Sequence, residues 1–309
     1  MQPTQPSTPL SSAGRLRRLL AQDGTVAVPG GGTPLEALCA AAAGFDSFYV
    51  SGYAVAAWRH GLPDIGLTAL SDITAAVSAI RSVSDLAIVV DADTGYGDAA
   101  AVCTTVSRLE RAGAAAVQVE DQIWPKRCGH MAGKEVIPAA DMARKVAAAV
   151  GARELPDTLI IARTDALAPL GVHEAIERGR RYADMGADAV FVDAPESVEH
   201  LRLIAAGIDC PLVVNMTESG RTPILPLADL SELGFAMAIY PTAALRLSAA
   251  LITALYQQLA SSGATESLAG QMMSLDAMNE ALGLGALQAR ETSALQAAGR
   301  SAPAAASGQ

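Results

Sequence analysis

Short apolar runs alternate along this chain with longer segments whose apolar residues recur at helical spacing. Runs of this kind predict strands at 25–28, 48–50, 87–90, 115–119, 159–162, 189–192, 212–214 and 237–239. Helices are predicted at 34–43, 73–83, 99–112, 139–150, 173–185, 198–206 and 243–259. The strands are continuously apolar rather than alternating, which is typical of parallel strands that are buried on both faces.

Eight such strands separated by helices predict an α/β protein with a (β/α)₈ TIM barrel. The glycine run at 30–32 lacks the Gly-x-Gly-x-x-Gly spacing, which disfavours a dinucleotide-binding sheet. We expect the barrel to occupy residues 12–262 and a C-terminal helical extension to occupy 263–295, with helical patterns at 268–282 and 286–298. The segments 1–11 and 296–309 are expected to be disordered tails.

Composition narrows the class of protein. A hydrophobic content of 51% with 17% charged residues indicates a globular chain with ample core. The net charge of -10 argues against nucleic-acid partners, and we find neither a membrane-spanning apolar run nor a signal-peptide pattern. The four cysteines are far apart, which favours free thiols and predicts a cytoplasmic protein.

Polar side chains follow most of the predicted strands, at the point where each strand ends. In chain order they are Ser51, Asp91, Asp93, Glu120, Arg163, Asp193 and Asn215. Because the C-terminal ends of parallel barrel strands meet at one face, these side chains are expected to share a site.

Asp91, Asp93 and Glu120 suggest a metal site at this face. Three carboxylates without His or Cys suit a hard cation, and we predict Mg²⁺, partly bound through water. Helix capping is the alternative interpretation, and Asp98 suits that role, but capping does not explain the pair that precedes the glycines.

Arg163 leaves two interpretations open. Its guanidinium could bind a substrate carboxylate through two parallel hydrogen bonds. It could equally form a structural salt bridge with Asp193 or Glu120.

Cys128 stands in the block Lys126-Arg127-Cys128-Gly129-His130, where one thiol is surrounded by three potentially cationic side chains. Nearby positive charge lowers the pKa of a thiol and prepares it for acid–base or nucleophilic chemistry. A buried structural cysteine is the alternative, although such cysteines usually lie among apolar residues. Gly129 and Gly133 could serve as hinges of a closing loop.

Together these residues resemble the isocitrate lyase / phosphoenolpyruvate mutase superfamily from about residue 15 to 287. The matching motifs are Tyr49-Val50-Ser51-Gly52, Gly61-Leu62-Pro63-Asp64, Asp91-Ala92-Asp93-Thr94-Gly95-Tyr96-Gly97, Glu120-Asp121-Gln122, the Cys128 block, Ala162-Arg163-Thr164-Asp165-Ala166, Asn215 with Thr217-Glu218, and Tyr240-Pro241 with Arg246. Within the superfamily, the cysteine block marks the branch that cleaves carbon–carbon bonds.

The resemblance implies a Mg²⁺-dependent lyase, with Mn²⁺ as a possible substitute, acting on a small 2-hydroxy di- or tricarboxylate. It places Asp91 and Asp93 at the metal with Asp64 and Glu120 as outer partners, and makes Cys128 the proton donor. Arg163 and His130 complete the expected catalytic set. The expected substrate-binding residues are Tyr49, Ser51, Gly52, Tyr53, Gly129, Asp193, Asn215, Thr217 and Arg246, with His130 also matching a carboxylate-binding position. The family also implies a homotetramer, a dimer of dimers with a swapped C-terminal helix.

The substrate is narrowed by departures from the known patterns. Tyr53 departs from the known patterns, since methylisocitrate lyases tend to carry glycine there and isocitrate lyases tryptophan, whereas Phe191 and Ile239 resemble the methylisocitrate and dimethylmalate lyases more than isocitrate lyase. No arginine stands near Ser274 to bind a third substrate carboxylate. The expected substrate is therefore a 2-alkylmalate such as 2,3-dimethylmalate, with 2-methylisocitrate close behind. Oxaloacetate hydrolysis is the alternative within the superfamily. Phosphonate formation or cleavage, or a non-catalytic barrel, are alternatives of another class.

Overall fold

The computed structural model describes residues 11–129, 131 and 133–301, with side chains to 297. Within these residues, eight parallel strands form one closed barrel in chain order, in which β8 pairs with β1. The strands are β1 (Val26–Gly31), β2 (Ser47–Val50), β3 (Ala87–Asp91), β4 (Ala114–Glu120), β5 (Leu159–Thr164), β6 (Ala189–Val192), β7 (Leu212–Asn215) and β8 (Met237–Tyr240). The predicted (β/α)₈ barrel is therefore confirmed.

Helices connect the strands and follow the barrel. They are α1 (Ser12–Leu20), α2 (Pro34–Ala42), α3 (Gly52–Val55), α4 (Leu70–Arg81), α5 (Ala99–Ala112), α6 (Ala139–Gly151), α7 (Leu167–Leu170), α8 (Val172–Asp184), α9 (Val198–Gly207), α10 (Leu227–Leu233), α11 (Ala243–Ser262), α12 (Leu275–Ala281) and α13 (Leu284–Ser301). A π-helical turn (Ala56–His60) follows α3, and a 3₁₀ helix (Glu266–Gln271) precedes α12.

The interior of the barrel is filled by apolar side chains from its strands, among them Tyr49, Phe191 and Met237. Ala13 and Leu16 of α1 join this core. Arg17 of α1 donates to the backbone carbonyl of Asp157, just before β5, at 2.7 Å. Helix α1 therefore closes the N-terminal end of the barrel and leaves the opposite end for the polar residues.

The C-terminal part forms a second compact unit. The two units divide at Leu251, within α11, and the helical extension from residue 263 stays a prediction. The single helix predicted at 268–282 is wrong, because the 3₁₀ helix ends at Gln271 and α12 begins only after Ser274, whose hydroxyl caps it. Helix α13 continues to Ser301, within the segment predicted as a tail, and residues 1–10 and 302–309 lie outside the described residues.

None of the helices that the structure describes is long and apolar enough to span a bilayer. All four cysteines lie in the described part of the chain, and none is in a disulfide.

Candidate active site

A cavity of about 210 Å³ opens at the C-terminal ends of the strands. It is lined by Tyr49, Ser51, Tyr53, Asp64, Asp91, Lys126, Cys128, Gly129, Arg163, Phe191, Asp193, Asn215, Thr217, Glu218, Ser219, Gly220, Ile239, Pro241, Thr242 and Arg246. Most of the residues predicted from strand ends and motifs are therefore brought together. Gly52, Asp93 and Glu120 lie behind this wall, and His130 falls outside the described residues.

Strand register orients the first metal candidate, Asp91. In the β3–β4 pair, Asp91 lies opposite Gln118, whose Nε2 donates to Asp91 Oδ1 at 3.3 Å. The hydroxyl of Tyr49 donates to Gln118 Oε1 at 3.1 Å. A chain of hydrogen bonds thus crosses the barrel interior and fixes the Asp91 carboxylate, and Gln118 is a site residue that the sequence analysis missed.

The acidic cluster consists of Asp64, Asp91, Asp93 and Glu120. Gly52 lies against it, because a Cβ added there would be 3.4 Å from Asp93 Oδ1 and 3.5 Å from Asp91 Oδ2. Asp93 has a left-handed backbone with φ of 47°, a strained conformation that is frequent at functional sites. Its amide donates to Asp91 Oδ1 at 3.1 Å, which holds the two aspartates together.

Lys126 enters this cluster from the loop that carries Cys128. Its Nζ lies 2.8 Å from Asp93 Oδ1 and also pairs with Asp64, and the residue is only 3% exposed. Burial alone would lower the pKa of Lys126, but the carboxylates of Asp93 and Asp64 outweigh it and hold that pKa well above its usual range. A charged ammonium group therefore stands among the predicted metal ligands.

Two carboxylates of the cluster are unusually hard to ionise. Burial first, and then the neighbouring Asp91 and Asp64 carboxylates, raise the pKa of Asp93 to about 6 against the pull of Lys126. Burial, followed by repulsion from Asp165, raises the pKa of Glu120 well above its usual range although Arg163 opposes the shift. A cation bound next to these two carboxylates would stabilise their ionised forms.

The donor set fits Mg²⁺ in its chemistry. Asp93 Oδ2 and Glu120 Oε1 are buried oxygens without a hydrogen-bond partner among the described residues, as expected of groups kept for a ligand. As the described side chains stand, no three acidic, His or Cys groups converge closely enough to hold a metal directly. Because Mg²⁺ retains several waters, the cluster fits an ion bound by one or two carboxylates and by water.

Arg163 is held by acidic residues rather than left open to solvent. Its Nε and Nη2 donate to the two oxygens of Asp165, each at 2.9 Å, and Nη2 also donates to Asp193 at 3.0 Å. Its Nε lies 3.4 Å from Glu120 Oε2, and its guanidinium carbon lies 5.2 Å from the centre of the Phe191 ring. The salt-bridge interpretation is confirmed, and carboxylate binding by Arg163 stays a prediction.

Lys134 pairs with the same two aspartates that bind Arg163, and it was not predicted as a site residue. Its Nζ lies 2.8 Å from Asp165 Oδ1 and 3.4 Å from Asp193 Oδ2. Although burial opposes ionisation, Arg163 and Lys134 together lower the pKa of Asp165 below its usual range. We call Lys134, Arg163, Asp165 and Asp193 the charge cluster.

Cys128 reaches the cavity from the loop between β4 and α6, residues 121–138, which we call the Cys128 loop. Its amide donates to the Asp64 carbonyl at 3.2 Å, and its side chain is half-buried. The next residue must be glycine, because a Cβ on Gly129 would overlap Asp193 and lie 2.6 Å from Arg163 Nη2. Cys128 thus lines the cavity on a backbone that contacts Asp64 of the acidic cluster and Asp193 of the charge cluster.

The residues expected to bind the departing carboxylate of the substrate line the cavity at and after the end of β7 and in α11, and we call them the opposite wall. The hydroxyl of Thr217 donates to Asn215 Oδ1 at 2.6 Å. Arg246 donates to the Glu218 carbonyl at 2.5 Å, and its Nη1 is 3.6 Å from Glu218 Oε2. Arg246 is partly exposed, so its guanidinium is accessible from the cavity.

A closed (β/α)₈ barrel that gathers acidic side chains and a loop-borne thiol at its C-terminal face has the architecture of an enzyme. The comparison with known families agrees. The chain belongs to the phosphoenolpyruvate phosphomutase family, whose match covers residues 16–260.

Individual relatives are more specific. The chain is 38% identical over 275 residues to 2,3-dimethylmalate lyase of Eubacterium barkeri, covering 89% of this chain and 95% of that protein. It is 44% identical over 233 residues to 2-methylisocitrate lyase of Aeropyrum pernix, covering 75% of each. The solved structure of oxaloacetate acetylhydrolase with 3,3-difluorooxalacetate superposes with a TM-score of 0.88 at 32% identity, covering 92% of this chain and 97% of that one.

Proposed function

We propose that this protein is a Mg²⁺-dependent carbon–carbon lyase that cleaves a 2-hydroxy dicarboxylate of the 2-alkylmalate type to pyruvate and a second carboxylate. The observation that carries the proposal is the position of Cys128, which lines one cavity with Asp91, Arg163 and Asn215. A thiol that can donate a proton, in one cavity with carboxylates that could hold a divalent cation, suits retro-aldol cleavage.

The cavity offers separate places for the two ends of such a substrate. Ser51 and Gly52, beside the acidic cluster, would hold the half that becomes pyruvate. Asn215, Thr217 and Arg246 would bind the departing carboxylate on the opposite wall, with Tyr49, Tyr53, Gly129 and Asp193 completing the lining and Asp93, Asp64 and Glu120 supporting Asp91. The distribution of charge supports this orientation, since Arg246 is the cation that remains accessible on that wall.

Cleavage moves two protons and one electron pair. The 2-hydroxyl gives its proton to a carboxylate of the acidic cluster, the carbon–carbon bond breaks, and the electron pair of that bond passes to the carbon beside the departing carboxylate. When bound by the acidic cluster, Mg²⁺ would supply Lewis acidity toward the hydroxyl and its neighbouring carboxylate. Cys128 Sγ then gives its proton to that carbon, a general-acid step that leaves a thiolate to be reprotonated.

The apolar part of the cavity favours an alkyl substituent. Phe191 and Ile239 line it together with Tyr53, and they present carbon surface to the middle of the substrate. The likeness to 2,3-dimethylmalate lyase spans nearly the whole chain, which supports 2,3-dimethylmalate as substrate and 2-methylisocitrate as the second choice.

Hydrolysis of oxaloacetate is the second candidate, favoured by the TM-score of 0.88 to oxaloacetate acetylhydrolase. The two reactions differ in their products. A lyase releases pyruvate from a 2-alkylmalate, whereas hydrolysis of oxaloacetate yields oxalate and acetate.

One panel of substrates tests both candidates. Purified protein is incubated with 2,3-dimethylmalate, 2-methylisocitrate, oxaloacetate and phosphonopyruvate, with Mg²⁺, with Mn²⁺ or with EDTA, and pyruvate, oxalate and phosphate are measured. We expect metal-dependent pyruvate from 2,3-dimethylmalate. Oxalate without pyruvate would favour the hydrolase, phosphate would favour phosphonate chemistry, and release that EDTA does not affect would contradict the metal assignment.

The expected assembly and location belong to the same proposal. A helix-swapped homotetramer would give four times the protomer mass in light scattering, and the protein is proposed to work in the cytoplasm. The tail at 1–11 and the extension from 263 stay predictions that limited proteolysis can test.

A further inference from the structure

Lys134 is buried at the far end of the Cys128 loop, where it is 6% exposed. Lysine is almost never buried to this extent unless it is paired. Its two partners, Asp165 and Asp193, follow β5 and β6 and do not belong to the loop. Lys134 therefore fastens the loop to the barrel, as Lys126 does at the near end through Asp93.

The charge cluster contains as many cationic as acidic side chains only when Lys134 is in place, and Glu120, whose Oε2 lies 3.4 Å from Arg163 Nε, is a further acidic neighbour. Two cations, Arg163 and Lys134, face two carboxylates that are almost completely buried. Without Lys134, Arg163 alone would face both Asp165 and Asp193, and one buried negative charge would lack compensation. Leaving a buried charge unpaired is strongly unfavourable, so the cluster favours the position of the loop that inserts Lys134.

The same position of the loop brings Cys128 to the cavity. The backbone of Gly129 lies against Asp193 and Arg163, two members of the charge cluster. Lys134 and Gly129 therefore contact the same side chain of the barrel, Asp193. An open loop would lose both contacts and would move the thiol away from the substrate.

We propose that Lys134 is a positioning residue, which holds the Cys128 loop closed by completing the charge cluster and thereby places the thiol for proton transfer. The role in catalysis rests on the proposed function, whereas the effect on loop closure does not.

The direct test measures how fast iodoacetamide alkylates Cys128 in Lys134→Met, resolved by peptide mass spectrometry with exposed Cys39 as internal reference. Rates are compared on the plateau at high pH, where the thiol is fully ionised whatever its pKa. We expect at least about a tenfold rise, which corresponds to about 1.4 kcal/mol in the closing equilibrium. Lys134→Arg, which keeps the charge, should restore slow alkylation, and exposed Glu135→Gln is the matched loop control that should alkylate like wild type.

A second variant covers the case in which Lys134→Met does not fold. In Lys134→Met with Asp165→Asn, the remaining Arg163 and Asp193 are again balanced, yet the fastening lysine is absent. Alkylation of Cys128 should still be fast. Slow alkylation in a folded variant of either kind would overturn the proposal.

Activity gives an independent readout. Lys134→Met should lower kcat by roughly 10²-fold, the effect of a misplaced catalytic group, while KM changes much less because Ser51 and Arg246 do not lie on the loop. Unchanged kcat would overturn the positioning role. If wild type releases no product but alkylation still depends on Lys134, the proposed function fails and the assignment to loop closure stands.

Discussion

Lys126 Nζ lies 2.8 Å from Asp93 Oδ1, so the residue two places before Cys128 is ion-paired with a predicted metal ligand. The acidic cluster and the proposed proton donor are thereby linked through one short piece of backbone. Binding of a divalent cation among these carboxylates must accommodate the ammonium group, which has a direct consequence for metal affinity.

Lys126→Met is expected to raise the affinity for Mg²⁺ by at least about tenfold, because it removes a positive charge beside the ion in a poorly solvated site. Titration calorimetry of the metal-free variant measures this. Lys145→Met is the control: it removes the same charge from α6, where Lys145 Nζ binds the Thr94 carbonyl at 2.9 Å, and should change affinity much less. Equal or weaker binding in Lys126→Met would contradict the placement of the ion at Asp93.

Cys128→Ser should abolish cleavage while Mg²⁺-dependent binding of pyruvate persists. A hydroxyl is a far weaker acid than a thiol, and loss of a general acid costs about 10²–10⁴-fold in rate. Pyruvate release and pyruvate binding are measured on the same preparation, with exposed Cys39→Ser as the control. Full activity of Cys128→Ser would remove the thiol from the mechanism.

Binding of Mg²⁺ should weaken as the pH falls through about 6. Burial raises the pKa of Asp93 to about 6, so below this pH the ion must displace a proton. Above it the carboxylate is already ionised and this contribution levels off. Calorimetry across a pH series that spans the Asp93 pKa, with Asp91 intact and Asp93→Asn as the comparison, gives the dependence. An affinity that is flat through this range in wild type would refute it.

The raised pKa of Asp93 also makes the free energy of unfolding decrease as the pH rises. An aspartate whose pKa is lowered on folding has the opposite effect. The pKa of Asp93 is higher in the folded chain than the ordinary aspartate value of 3.8, so the native state binds the extra proton. The stabilisation is complete below about pH 4 and is lost as the pH rises through about 6. Urea unfolding in EDTA should therefore show wild type losing stability relative to Asp93→Asn as the pH rises through this window.

Arg178→Met should destabilise the metal-free fold by about 3–5 kcal/mol, because it leaves a buried carboxylate without its cation. Asp121 Oδ2 accepts from Arg178 Nη1 at 3.0 Å, from Thr164 Oγ1 at 2.7 Å and from the Tyr182 hydroxyl at 2.9 Å. Exposed Arg181→Met on the same helix is the control and should shift the urea midpoint by little. Equal shifts would mean that Asp121 does not depend on Arg178.

The barrel could be predicted because its signals are local. Each predicted strand overlaps a strand of the structure, and helix α5 and strand β6 have the predicted bounds. Helix α10 was missed because it is short and buries only Leu230, too little to produce a periodic pattern. Helix α1 was missed because it is flanked by polar residues and buries only Ala13 and Leu16, too few apolar positions to produce a periodic pattern. Both residues are buried by contact with the barrel core, which the sequence of the helix does not reveal.

The site was predictable only in part, because some of its residues stand at strand ends and others lie on a loop. Asp91 and Arg163 stand at strand ends, and the parallel barrel brings all such ends together whatever lies between them. Lys126 and Lys134 are on a loop, where no periodicity fixes which carboxylate a long side chain reaches. The two-residue offset between Arg163 and Asp165 was visible in the sequence, but a bidentate pair across it depends on the twist of the chain after β5.

Helix α1 gives the barrel a floor. Ala13 and Leu16 are packed beneath the strands, and Arg17 is anchored both to the Asp157 carbonyl and to the Asp188 carboxylate at 2.8 Å. Mutations in α1 should therefore change the thermal stability of the enzyme without changing its substrate specificity. Mutations in the cavity lining should change substrate specificity and leave thermal stability largely unchanged. The two properties can thus be engineered at opposite ends of the barrel.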